Sequence, residues 1–128
     1  MNGKKTVLVA DDDATFRTLL SNGFSDAGLG VIEAQDGEEA LNLAKEKRPD
    51  ILVIDIKMPK QDGLEMLKNL RATGSWGASV PAFILTNLEG MDTIARALES
   101  STAGYFVKAE HTIPEIVRAV ADYLASGH

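Results

Sequence analysis

The chain contains no cysteine. That excludes a disulfide framework and any thiolate metal site. It fits a reducing compartment, with the cytoplasm as the expected location. No apolar stretch is long enough to span a bilayer, and no basic-then-apolar leader opens the chain, so no membrane contact is expected. Basic residues are few, with 13 Lys and Arg against 19 Asp and Glu and a net charge of −6. Direct nucleic-acid binding depends on clustered cations that neutralise phosphates, and this balance argues against it. Repeats, linkers and low-complexity tracts are also missing.

What is present is 128 residues, 45% hydrophobic and 25% charged. That composition suits one soluble domain spanning 1–128. Short apolar runs alternate with segments of helical period, the pattern of βαβ units and a parallel sheet. The runs predict strands near 6–10, 30–34, 50–54, 81–86 and 104–108. The second run, Gly30-Val31-Ile32-Glu33-Ala34, is the least apolar and suits a sheet edge. Phe16, Leu19, Leu20, Gly23, Phe24 and Ala27 share one predicted helical face, stopped by Gly28. Asp36 heads a second helix with Ala40, Leu41 and Ala44 inward. Leu64, Leu67 and Leu70 mark a third, and Met91, Ile94, Ala95 and Leu98 a fourth. Thr112-Ile113-Pro114-Glu115 reads as a capping box opening the fifth. The chain ends about where that helix ends, so no attached output domain is expected.

Five strands and five helices in alternation give a doubly wound α/β sheet. In such sheets ligands gather beyond the carboxyl ends of the strands. The polar residues that end apolar runs fall there: Asp11 and Asp12, Asp55, Thr86 and Lys108. The second strand ends in Ala34-Gln35 and brings nothing obvious, which the flavodoxin-like order 2-1-3-4-5 explains by placing it at an edge. Converging carboxylates repel one another and resist desolvation. A hard divalent cation with oxygen ligands is the simplest compensation.

These residues carry a family likeness. Ala10-Asp11-Asp12-Asp13, Asp55-Ile56-Lys57-Met58-Pro59 with Asp62-Gly63, Leu85-Thr86, and Tyr105-Phe106-Val107-Lys108 occur in order. The chain resembles the receiver domain of bacterial two-component response regulators over essentially its full length. That resemblance implies that Asp55 accepts a phosphoryl group from a histidine kinase or phosphotransfer protein. It implies that Mg²⁺ is held by Asp11, Asp12, Asp55 and the backbone carbonyl of Lys57. Thr86 and Lys108 would hold the phosphoryl group, and Tyr105 would rotate on activation. The surface then read by a downstream protein or output domain would be helix four, strand five and helix five.

Some positions depart from the pattern. Ala109 follows Lys108 where most receivers have proline, so the Lys108–Ala109 peptide is expected to be trans or strained. Asn87 follows Thr86 where a small residue is usual. Leu88 and Lys57 flank the expected path of attacking water, which predicts a long phosphorylated lifetime. Asp13 reads as a helix cap, Trp76 as packing in a Gly/Ser-rich loop, and His111 as solvated. Other functions on the same fold need different residues. A flavin or nucleotide site needs a Gly/Ser/Thr-rich phosphate loop where this chain has three aspartates. A Mg²⁺-dependent phosphatase would use Asp11 or Asp55 as nucleophile, with Asp13 placed as acid/base to Asp11. A receiver acting as a phosphorylation-independent adaptor is a further alternative.

Overall fold

The computed structural model describes residues 4–87 and 102–126. Among these, the elements run β1 (Thr6–Ala10), α1 (Ala14–Asp26), β2 (Gly30–Ala34), α2 (Gly37–Lys47) and β3 (Ile51–Asp55). They continue with α3 (Gly63–Arg71), α4 (Ser75–Ser79), β4 (Ala82–Thr86), β5 (Gly104–Val107) and α5 (Ile113–Ala125). All strand pairs are parallel, in the order β2-β1-β3-β4-β5. The expected doubly wound, flavodoxin-like architecture is therefore the observed one. None of the described helices is long and apolar enough to cross a membrane.

Strand parity builds two cores. Side chains alternate across a strand, so β1 and β3 send Leu8, Ala10, Leu52 and Ile54 to one face, where Ala40, Ala44, Met66, Leu67 and Leu70 meet them. Val7, Val9, Ile51 and Val53 line the other face, against Leu20, Phe24, Ile116, Val117 and Val120. Both faces are covered, which is why β1, β3 and β4 read as unbroken apolar runs.

Helix ends follow their capping residues. Asp13 accepts hydrogen bonds from Thr15 N (3.0 Å) and Phe16 N (3.2 Å). Asp36 accepts from Glu39 N (2.7 Å), while the Glu39 carboxylate takes Gln35 N (2.8 Å). Thr112 and Glu115 form the reciprocal capping box expected of them. Gly63, first residue of α3, lies so close to the carbonyl of Asp55 that a Cβ there would collide with it. Its amide donates to Ile56 O at 2.8 Å. The Asp62-Gly63 pair thus seats α3 directly on the end of β3.

Three expectations change. Leu19 is 50% exposed, and the buried side of α1 runs through Leu20, Ser21 and Phe24 instead. The Gly/Ser-rich stretch before β4 is the short helix α4, not a loop. Arg71 holds it by donating from Nη1 to Gly77 O (2.9 Å) and Val80 O (2.6 Å). His111 is half-buried, with Nδ1 3.2 Å from Val107 O and its ring edge-on to Phe106. The Lys108–Ala109 peptide is trans, one of the two forms expected of it. The helix expected from Met91, Ile94, Ala95 and Leu98 lies outside the described residues.

Candidate functional site

Register and parity bring the acids together. Ala10 of β1 is paired with Ile54 of β3, so one residue further along places Asp11 level with Asp55 on adjacent strands. Both continue the Val7–Val9 and Ile51–Val53 rows on the α1/α5 face. Asp12 follows at the strand end, and one carboxylate oxygen from each of the three lies within 4.8 Å of the others. Asp11 is fully buried, Asp55 is 4% exposed and Asp12 is exposed.

Backbone contacts fix this corner. Asp11 N donates to Ala34 O at 3.1 Å, and Asp11 Oδ1 accepts from Asp13 N at 2.9 Å. Arg17 reaches back along α1 to donate to Asp11 O at 2.7 Å and pairs with Glu33 at 3.1 Å. The cap formed by Asp13 points its carboxylate at the start of α1. That geometry occupies the group a phosphatase reading would need as acid/base. On the other side, Ile56 N donates to Leu85 O at 3.1 Å, steadying the loop that begins at Lys57.

Lys108 is the cation of the site. Its ammonium lies 2.7 Å from Asp11 Oδ2 and 3.5 Å from Asp55 Oδ2. It also sits 4.4 Å from the centre of the Phe16 ring, a favourable placement over the negative face of the π system. Thr86 is buried at the end of β4, and Thr86 O accepts from Lys108 N at 2.8 Å. Tyr105 points outward, 42% exposed. Asn87 and Lys57 are exposed at the rim, and Leu88 lies outside the described residues.

Among the described residues, one cation paired with this cluster does not balance three acids. Burial first, and the neighbouring Asp11 charge second, push the Asp55 carboxyl up to about 7; Lys108 pulls it down, and Asp12 adds a further rise. Asp11 Oδ2 is buried and, beyond the ion pair with Lys108, has no aligned hydrogen-bond donor among the described residues. Buried polar atoms are normally satisfied. An all-oxygen donor set with an under-satisfied buried carboxylate fits a hard divalent cation such as Mg²⁺.

Phe16 and Arg17 are the site residues that sequence reasoning missed. Phe16 registered only as part of an apolar stripe. Both lie one helical turn past the acidic cluster, which was the available signal.

Residues 7–121 match the family profile described as the response regulator receiver domain. The chain is 38% identical over 105 residues to a probable transcriptional regulator, ycf27, of Porphyridium aerugineum, covering 82% of this chain and 42% of that protein. It is 38% identical over 102 residues to the response regulator MprA of Mycolicibacterium vanbaalenii, covering 80% and 43%. It thus spans less than half the length of these curated relatives. The receiver domain of Francisella response regulator 1452 superposes with a TM-score of 0.85 at 31% identity, over 98% of this chain and 100% of that one. The chemotaxis response regulator CheY4 of Vibrio cholerae superposes at 0.84 with 28% identity, over 94% and 98%. By fold, by arrangement of residues and by these likenesses, the chain belongs to the response regulator receiver family.

Proposed function

We propose that the chain is a phosphorylation-controlled switch, with Asp55 as phosphoacceptor and the span 1–128 as one receiver domain. The observation that supports this most is the convergence of Asp11, Asp12 and Asp55, with Lys108 paired to Asp11 and Asp55. Asp55 Oδ attacks the phosphorus of a phosphohistidine borne by a kinase or phosphotransfer protein. A P–O bond forms, the P–N bond breaks, and the departing imidazole nitrogen keeps the electron pair and takes a proton. Transfer of this kind depends on positioning and countercharge more than on covalent help from the protein.

Asp11, Asp12, Asp55 and the carbonyl of Lys57 would hold Mg²⁺. The bound ion supplies positive charge against the acceptor and the phosphoryl oxygens. Lys108 contributes a point charge from the side of β5, and Thr86 offers a hydroxyl to a phosphoryl oxygen. Drawing Thr86 toward the new charge leaves room for the exposed Tyr105 ring to turn inward. That is a two-state element biased by a modification. β5 and α5 are then the described part of the surface a downstream protein or output domain reads. Lys57 and Asn87 modulate access, and a long-lived phosphorylated state is expected. The function is regulatory, with at most self-phosphorylation and self-dephosphorylation as chemistry.

The test is intact mass after incubation with phosphoramidate and Mg²⁺. Wild type should gain one phosphoryl group and Asp55→Asn none. Equal labelling of both would remove Asp55 from the role.

A further inference from the structure

We propose that the pole of the sheet opposite the aspartates carries a second ligand site, a pocket for a phosphate group walled by Lys45, Arg48, Ser75 and Trp76. The cavity holds about 180 Å³. It lies where α2 leads into β3 and where α3 and α4 lead into β4, at the amino ends of the strands. Binding there is independent of the phosphoacceptor reading of Asp55.

Three features point to an oxyanion. First, two cations line one cavity, and neither Lys45 nor Arg48 pairs with a carboxylate among the described residues. Asp50, two residues past Arg48, is committed to Thr6 N at 2.8 Å and to Thr6 Oγ1. Second, Arg48 is held in place. It has left-handed backbone (φ 44°), its amide donates to Ala44 O at 2.9 Å, and its guanidinium lies 5.7 Å from the centre of the Trp76 ring. A guanidinium so placed keeps its planar donor fork available for an oxyanion, which it grips in bidentate fashion. Third, the hydroxyl of Ser75 is uncommitted among the described residues, while that of Thr73 donates to Leu70 O at 2.7 Å. One free hydroxyl and two cations suit the several acceptor oxygens of a phosphate better than a single carboxylate. The volume leaves room for an organic group on the phosphate. Trp76 packs against the core, so it serves as a wall and not as a stacking platform for a base.

Trp76 is the chain's single tryptophan, so its fluorescence reports on this pocket alone. The experiment titrates the full chain, in EDTA and at constant ionic strength, with inorganic phosphate, glycerol 3-phosphate and acetate. Backbone amide shifts at residues 45–48 and 73–77 provide a second readout. Phosphate and glycerol 3-phosphate should saturate both signals, with acetate weaker. The tighter of the first two identifies the source as free phosphate or a phosphomonoester. Arg48→Asn, which tolerates left-handed backbone, and Lys45→Gln should each weaken binding by about tenfold. Asp55→Asn should leave it unchanged, separating this pocket from the aspartate site. Signals that only follow ionic strength, or affinities that the Arg48 and Lys45 variants leave intact, would overturn the proposal and mark a solvated cationic face.

Discussion

Lys108 is drawn closer to Asp11 than to Asp55: its ammonium is 2.7 Å from Asp11 Oδ2 and 3.5 Å from Asp55 Oδ2. The fully buried acid thus holds the cation, and the acceptor carboxylate shares it from a distance. Lys108→Met should therefore act mainly through Asp11, left charged and unpaired. Removing one partner of a buried pair costs on the order of 3–5 kcal/mol. Urea unfolding in EDTA should show a loss of that order, and saturating Mg²⁺ should recover a larger increment in the variant than in wild type. Equal increments would mean that the lysine and the cation do not address the same charge.

Stability should run against the usual direction for an aspartate. The folded Asp55 carboxyl sits near 7, above its ordinary 3.8. The native state therefore keeps a proton that the unfolded chain releases between about pH 4 and 7, and stability falls as pH rises through that window. Each unit of displacement is worth about 1.4 kcal/mol, so the full effect is a few kcal/mol. Urea midpoints at pH 5, 6, 7 and 8 in EDTA should decline for wild type and flatten for Asp55→Asn. A parallel decline in both proteins would assign the slope to other groups.

Gly63→Ala should damage the site from outside it. The added Cβ would meet the carbonyl of Asp55, a backbone atom that cannot step aside without moving the end of β3. Overpacking of this kind costs about 1–3 kcal/mol. Stability and phosphoryl acceptance should fall together. Normal acceptance at reduced stability would show that Asp55 tolerates the shift.

Ser21→Ala should stabilise. Its hydroxyl is buried in α1 with no hydrogen-bond partner among the described residues. Relieving an unsatisfied group and improving helix propensity together should contribute about 1 kcal/mol. A destabilised variant, read by urea unfolding, would indicate that the hydroxyl has a partner such as bound water.

Much of this arrangement was legible in the sequence because it rests on strand ends. Apolar runs that stop at Asp11, Asp55 and Thr86 mark where a doubly wound sheet presents its ligand edge, and parity then sets Asp11 beside Asp55. The less legible parts depend on contacts between elements. Leu19 fits a helical stripe by spacing, yet the packing of α1 against α5 turns it outward. α4 is small residues around Trp76, held by Arg71 from a different helix, and no local pattern encodes that tether. Phe16 meets Lys108 only because β5 and α1 flank the same edge. His111 has the local sequence of a solvated loop residue, but the backbone of β5 and the ring of Phe106 capture it.

The most direct test is the rate of Asp55 phosphorylation by phosphoramidate as a function of Mg²⁺, in wild type and in Asp12→Ala. Labelling should be negligible in EDTA, rise to saturation with Mg²⁺, and need a far higher concentration once Asp12 is gone. Labelling at the same rate in EDTA as in Mg²⁺ would contradict an acidic pocket that depends on a divalent ion to work.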